Sequence, residues 1–445
     1  MLGEYRISGR RAAEISADIE RGVGEGELRP GELLPSIREL AERLEVNPNT
    51  VAAAYRTLRE RGVIETAGRR GSRVRSKPAT TARDAMRVEV PPGVRDVSEG
   101  NPDPALLPAL AGAFAAAAGQ GDREPVLYGH APVDPGLARL ARAGMDADGV
   151  PDGPVAVASG ALDAVERVLA AHLSPGDAVA VEDPGWGSLL DLVPALGLRT
   201  VPVGVDDEGP LPDAVRAALA HGARALIVTD RAQNPTGAAL SGARARALRS
   251  VLADHPDTLL IEDDHGHHIV DHPLHPLAGP TRSWAFVRSA AKAYGPDLRL
   301  AVLTGDTVTL DRVRGRQRLG PGWVSLIVQR AVARLWSEAA VDPAAVAAGY
   351  GRRRDGLTGA LARRGIVAHG RTGMNVWVPV PDETAAVARL LHAGWAVAPG
   401  ARFRTNAPPG IRVTVSGLRE GDIEPLAESI ALALGPAGGP ERTYA

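Results

Sequence analysis

Between Val155 and Leu303, short aliphatic runs take turns with helix-like stretches, and this alternation constrains the fold more than any other feature of the chain. The runs are Val155–Ala158, Ala178–Val181, Arg199–Val203, Ala225–Val228, Thr258–Ile261, Trp284–Val287 and Leu300–Leu303. Stretches of helical character follow Gly160, Trp186, Pro212, Ser241 and Lys292. The pattern predicts an α/β body: a mostly parallel sheet with helices on both faces. In such sheets ligands sit beyond the carboxyl ends of the strands. The polar clusters fall there. Ser159-Gly160-Ala161 follows one run and opens a helix whose N-terminus can receive a phosphate. Gln233-Asn234-Pro-Thr-Gly237, Glu262-Asp263-Asp264-His265 and the pair Ser289/Lys292 follow three others, and Arg299 opens the last.

Lys292 stands out by scarcity. The chain has 51 basic residues, and only Lys77 and Lys292 are lysines. A guanidinium stays protonated at any useful pH, whereas a desolvated ammonium can lose its proton and attack a carbonyl to form a Schiff base. Lys77 sits in an arginine-rich polar stretch and reads as a solvated charge. Lys292 follows an apolar run and reads as a candidate for chemistry.

The chain has 445 residues, 44% of them hydrophobic but only 3% aromatic, so aliphatic side chains must fill two or three domain cores. Without cysteine, disulfides, thiolate catalysis and Cys-based zinc sites are excluded. The N-terminus lacks an apolar signal region and no apolar run approaches membrane-spanning length, so a cytoplasmic protein with no membrane partner is expected. The run His265-Gly-His267-His268, with His272 and His275, lacks the His spacing of a zincin, and no metal site is expected.

The net charge of −2 hides an asymmetry. Residues 1–77 carry 15 basic and 12 acidic residues, and within 56–77 the ratio is 8 to 2. A basic module on an acidic body points to a polyanion partner for the module alone. Its pattern is helix over 10–24, a capping box Ser36-Ile-Arg-Glu39 opening a helix Ile37–Leu44, a turn at Asn47-Pro48, and a helix from about Asn49 to Arg61. A hairpin follows, Val63–Thr66 and Ser72–Arg75, with an arginine-rich tip. This is a winged helix-turn-helix.

Leu28-Arg-Pro-Gly-Glu-Leu-Leu-Pro-Ser-Ile-Arg-Glu-Leu-Ala, with Asn49-Thr50-Val51 and Tyr55-Arg-Thr-Leu-Arg-Glu-Arg-Gly, closely resembles the GntR family of bacterial repressors. The resemblance implies contacts to a double-stranded DNA operator from Arg38, Asn47, Asn49, Thr50 and the wing residues Arg69, Arg70 and Gly71. Many relatives carry arginine where Pro48 stands.

The body resembles fold-type I aminotransferases in the order Asn-Pro-Thr-Gly, an acid pair, Ser-x-x-Lys and an arginine seven residues on. The resemblance implies pyridoxal 5'-phosphate as cofactor and a smaller C-terminal α+β part. It makes Lys292 the catalytic, Schiff-base lysine and pairs Asp263 with the pyridine nitrogen. Asn234 would bond the ring hydroxyl and Trp186 would stack on the ring. The Ala161 and Leu162 amides, Ser289 and Arg299 would hold the phosphate. Tyr128 would reach a neighbour's phosphate across a homodimer, and Arg412 would bind a substrate carboxylate. His265 takes the place of a tyrosine that bonds the ring oxygen in relatives. The stretch Arg139-Leu-Ala-Arg-Ala-Gly-Met-Asp146 is shorter than the helix relatives carry.

Taken one at a time these features have plain explanations: Asn-Pro-Thr-Gly is a turn, Trp186 core packing, Arg299 a surface charge, Arg412 the start of a strand. Their joint order is what carries the reading. The expected division is a GntR-type domain over 1–76, a linker over 77–95 and an aminotransferase-like domain over 96–440. Fully extended, the linker spans at most about 60 Å, enough to carry the DNA module onto another subunit. The combination resembles the MocR/GabR class of regulators, most of all its PtsJ-type branch. A pyridoxal-phosphate-responsive transcription factor is therefore expected, with a vitamin B6 vitamer or an amino acid as effector and with slow or absent transamination. A working aminotransferase with an appended DNA module is the alternative, and a DNA-binding protein with a dead, cofactor-free body is a third.

Overall fold

A computed structural model describes residues 5–24, 27–29, 31–60, 63–66, 71–74 and 83–435. The chain divides into two compact units, one of Met1–Ala82 with Leu173–Asp177 and Asp191–Arg199, the other of Arg83–His172, Ala178–Leu190 and Thr200–Ala445.

Among the described residues the N-terminal domain holds the helices Ala12–Gly24, Ile37–Leu44 and Pro48–Glu60 and an antiparallel hairpin of Ile64–Thr66 with Ser72–Val74. Leu33 adds a bridge to Arg73. The capping box forms: the Glu39 amide donates to Ser36 Oγ (3.2 Å) and the Ser36 amide to Glu39 Oε2 (3.3 Å). Glu45, at φ 53°, ends that helix in the left-handed conformation. Asn47 Oδ1 accepts from the Asn49 amide (2.8 Å) and starts the third helix. Its apolar stripe Val51, Ala54, Tyr55 and Leu58 packs on Ile15, Ile19, Leu28 and Leu40, all 1% exposed or less. The Tyr55 hydroxyl is satisfied by the Pro35 carbonyl (2.8 Å), as a buried hydroxyl must be.

The body is built on an eight-stranded sheet in the order Val155–Ala158, Ala301–Gly305, Ser283–Ser289, Leu259–Asp264, Ala223–Thr229, Ala178–Asp183, Arg199–Asp206, Gly209–Pro210. The strands from Ser283–Ser289 through Leu259–Asp264 and Ala223–Thr229 to Ala178–Asp183 are parallel to one another. Ala301–Gly305 runs antiparallel to both neighbours. The central strand Leu259–Asp264 is buried along its whole length, the consequence of helices on both faces. All expected strands are present. The expected helix after Lys292 is not: Lys292 lies inside a single turn, Ala291–Tyr294, and the next long helix starts at Thr307. Gly295-Pro296 cuts it short, because Gly295 stands at φ 116° and proline has no amide to continue the ladder.

A second core gathers under a smaller sheet in the order Asn375–Pro379, Gly410–Thr414, Ala398–Pro399, with the helices Pro343–Ala362, Glu383–His392 and Ile423–Leu434. Residues 83–95, expected within the linker, are held to this part. Arg83 donates to the carbonyls of Ala401 (2.8 Å) and Arg404 (2.9 Å), and Arg95–Asp96 pairs in parallel with Trp395–Ala396. Residues 75–82 lie outside the described ones. Among the described residues no helix is long and apolar enough to cross a membrane.

Candidate functional site

Register brings the polar clusters to one edge of the large sheet. Ser289 pairs with Ala301, and Ala301 with Ala158. The ends of two strands and the start of the reversed one therefore meet, which places Ser289, Arg299 and Ser159–Leu162 together. Asp263 pairs with Thr229 and Val287 at the same ends. A cavity of about 260 Å³ opens there, lined by Ala161, Leu162, Trp186, Asn234, Asp263, His265, Ser289, Lys292 and Arg299. Nine of the ten expected cofactor residues are thus gathered from segments that together span more than 130 positions, from Ala161 to Arg299. Tyr128 is the exception: it is 92% exposed and packs edge-on against Trp323.

Lys292 Nζ donates to the Gly100 carbonyl (2.6 Å). Burial pulls its pKa down to about 8, helped by the nearby Arg412 guanidinium and opposed by Asp263. A neutral amine, the form that attacks a carbonyl, is therefore accessible near physiological pH. Asp263 is 4% exposed; its Oδ2 meets His265 Nδ1 (3.1 Å), while its buried Oδ1 has no hydrogen-bond partner. A buried carboxylate oxygen without a donor is costly, and a protonated ring nitrogen of a ligand in the cavity would satisfy it. Gly160, at φ 96°, opens the helix Ala161–His172, and a Cβ there would lie 2.8 Å from Arg299 Nη2. The missing side chain leaves a cradle of helix amides and guanidinium suited to a phosphate. These features fit pyridoxal 5'-phosphate.

Arg412 lies on the strand Gly410–Thr414, 3% exposed, with its guanidinium 4.5 Å from the Phe403 ring centroid. Nη1 donates to Asn234 Oδ1 (3.0 Å) and Nη2 to the Ser98 carbonyl. The bond fixes Asn234 with its oxygen towards Arg412, so its amide N–H groups remain to donate to a ring hydroxyl. His265 differs from the expectation. Its two nitrogens meet Asp263 and the Ala232 carbonyl (2.7 Å) instead of standing free for a ring oxygen. The other histidines are absorbed locally: His268 Nδ1 meets the Tyr294 hydroxyl (2.7 Å), His267 stacks on His268, and His272 Nε2 meets the Leu240 carbonyl (2.9 Å). The helix around Arg139–Asp146 spans Pro135–Ala147, started by Asp134.

Sequence reasoning missed Gly100, Ala232, Met374 and Asn375, which also line the cavity. Only Gly100, in Ser-Glu-Gly100-Asn-Pro, carries a local signal of a tight backbone approach; the others reach the site through tertiary packing.

In the N-terminal domain Arg38, Asn47 and Asn49 are exposed and Thr50 half-buried. They cluster on the second helix and on the start of the third, the recognition element of a helix-turn-helix. Gly71, at φ 93°, is exposed at the start of the second wing strand. Arg69 and Arg70 lie outside the described residues.

Residues 94–430 match the aminotransferase class I and II family, and residues 11–74 the gntR family of bacterial regulatory proteins. The chain is 41% identical over 434 residues to the vitamin B6 salvage pathway transcriptional repressor PtsJ of Salmonella typhimurium, covering 96% of this chain and 99% of that protein. It is 33% identical over 277 residues to the pyridoxine biosynthesis transcriptional regulator PdxR of Corynebacterium glutamicum, covering 59% of each. Among solved structures, a Thermus thermophilus aspartate aminotransferase mutant superposes with a TM-score of 0.66 at 26% identity, over 77% of this chain and 92% of that one. The chain therefore belongs to the MocR/GabR-type regulators, most like the PtsJ-type branch, in which a GntR-type DNA-binding domain precedes a pyridoxal-phosphate-dependent fold-type I aminotransferase domain.

Proposed function

We propose that this protein is a transcriptional regulator of vitamin B6 metabolism that senses pyridoxal phosphate through its body. The observation that carries the reading is the cavity itself: it is lined by a lysine amine with a lowered pKa and by an aspartate with an unpartnered buried carboxylate oxygen, in a chain that begins with a winged helix. When bound, the cofactor would supply an aldehyde for the amine and a ring that withdraws electrons. Lys292 would anchor it, Asp263 would hold its ring nitrogen protonated, Asn234 would donate to the ring hydroxyl, and Trp186 would cover a face. Ala161, Leu162, Ser289 and Arg299 would bind the phosphate. Arg412 would orient the carboxylate of an amino-acid effector.

In this reading a DNA-binding domain over 1–76, a connecting stretch over 77–95 whose part from Arg83 onward docks on the body, and a cofactor domain over 96–440 would form a cytoplasmic homodimer. Tyr128, exposed on one chain, would complete the phosphate site of its partner. Occupancy would then bear on dimer geometry and on the spacing of two DNA modules. Arg38, Asn47, Asn49, Thr50, Arg69, Arg70 and Gly71 would contact the operator. Coupling of about 1–3 kcal/mol between cofactor and operator is what a useful switch needs. Transamination is expected to be slow or absent.

The test is operator affinity of the cofactor-free, cofactor-loaded and Lys292→Ala proteins at one salt concentration, beside single-turnover spectra with amino acids. A cofactor-dependent change in affinity that Lys292→Ala removes supports the sensor. Equal affinities with fast multiple turnover install the aminotransferase in its place.

A further inference from the structure

We propose that His265 is a positioning residue: it ties Asp263 Oδ2 to the Ala232 carbonyl and so leaves Oδ1 as the oxygen that meets the cofactor's ring nitrogen. The inference rests on the pyridoxal-phosphate reading of the cavity and assigns His265 a role different from that of the tyrosine it replaces.

The geometry is that of a two-headed donor. Nδ1 lies 3.1 Å from Asp263 Oδ2 and Nε2 lies 2.7 Å from Ala232 O. A carboxylate and a carbonyl only accept, and neutral imidazole has a single N–H, so filling both bonds requires the imidazolium. No N–H is left for a ring oxygen, which falls to Asn234.

The acceptor at residue 232 is itself held in place. Ala232 stands at φ 58°, a left-handed conformation uncommon for a residue with a Cβ. Its amide donates to Thr372 Oγ1 (2.9 Å), and that hydroxyl donates to the Gly237 carbonyl (3.0 Å). A Cβ on Gly373 would come within 2.6 Å of Ala232 Cβ, so the neighbouring chain passes closely as well. Backbone held in this region persists only where surrounding structure over-determines it. Here it directs a carbonyl at His265, and three separate segments converge to fix one carboxylate.

The charged groups facing His265 are Asp263 and Lys292, while Glu182 and Asp230 act on Asp263 or are acted on by it, and Arg412 faces Lys292. Burial lowers the His265 pKa, but the hydrogen bond and charge of Asp263 outweigh burial and Lys292, and the net shift is upward. The doubly bonded form therefore persists to higher pH than a free histidine would allow, and it loses one of its two bonds as pH rises through the raised value.

Three variants of the full chain separate the two bonds. In His265→Asn the amide nitrogen falls near Nδ1 and keeps the bond to Asp263. In His265→Gln it falls near Nε2 and keeps only the bond to Ala232. His265→Phe keeps neither. Pyridoxal phosphate dissociation constants are measured by absorbance titration between pH 6 and 9, with melting of the cofactor-free proteins as a check on folding. Phe and Gln should weaken binding about tenfold, and Asn no more than about threefold. The affinity advantage of the wild type over His265→Asn should shrink as pH rises; because the imidazolium also acts on Lys292, the Lys292 amine is titrated in each protein and affinities are compared per neutral amine. Asn and Gln weakened alike, with a pH-independent ratio to wild type, or all three binding as the wild type does, overturns the positioning role. A wild-type chain that takes up no pyridoxal phosphate overturns the cavity reading along with it.

Discussion

The residues proposed to work in the N-terminal domain and in the body stand in opposite surroundings. In the former Arg38, Asn47 and Asn49 stand in water on helices whose buried faces do the folding. In the latter Asp263, Ser289 and Arg412 are 5% exposed or less and sit within the packed structure they serve. A surface that meets a polyanion needs only charge and donors at the right spacing, so fold and function occupy different faces and can be changed separately. A cavity that tunes a lysine and a carboxylate needs desolvation, so each working group is also a buried polar group that its neighbours must satisfy. The paired Arg231 and Arg288 on Asp264 are one sign of that demand (Nε–Oδ distances of 2.7 and 2.9 Å).

The largest expected effect breaks the body alone. Lys292→Ala should abolish the borohydride-trapped cofactor adduct completely, and Lys292→Arg should do the same because guanidinium supplies no neutral amine. Peptide mass spectrometry locates the adduct, and its presence on another residue refutes the assignment. The contrast sharpens with Leu58→Ala, which removes a side chain with no exposed surface from the N-terminal core. It should cost about 2–5 kcal/mol of that domain's stability and lose operator binding. Cofactor uptake should be unchanged, as spectroscopic titration would show.

The pH dependence belongs to the cavity. With Lys292 near pKa 8, the fraction of neutral amine grows about tenfold per unit below that value and levels above it. The rate of adduct formation by stopped-flow absorbance should follow this rise, and a rise continuing to pH 10 would mean that the amine is not desolvated. On the DNA side the effects are smaller and additive. Removing Arg38, Arg69 and Arg70 should each lower the salt slope of log K by about 0.9 where the residue meets a phosphate. An unchanged slope in the triple variant would remove the wing and second helix from the interface. Ser36→Ala, which breaks an exposed capping box, should cost only about 1 kcal/mol by chemical denaturation and spare the cavity.

The two regions also differ in how far they could be read in advance. In the N-terminal domain the signals are local: a cap three residues from its partner, apolar positions three and four apart, a turn proline. The helix Ile37–Leu44 has the expected bounds, because a capping box and a left-handed C-cap settle both ends within nine residues. In the body, strand positions were legible from apolar runs, and the order of motifs singled out Lys292, Asp263 and Asn234, which the packed chain brings to one cavity. The helical character around Lys292 ends after a single turn, Ala291–Tyr294, because Gly295-Pro296 turns the chain away. His265 lines the cavity, but its Asp263 and Ala232 partners are set by tertiary packing that its sequence position does not reveal.

By itself the sequence determined the alternating body, the winged helix ahead of it, the scarce lysine and which residue types are available to a phosphorylated aldehyde. Tertiary structure alone decided what each donor faces. That Gly100 supplies the carbonyl to Lys292, that Arg412 turns the amide of Asn234, and that Ala232 receives His265 all depend on segments brought together across 33 to 192 positions. The physical reason is that hydrogen bonding is directional and falls away within a fraction of an ångström. Residue type establishes which atoms can donate or accept, and only the packed backbone sets where they point.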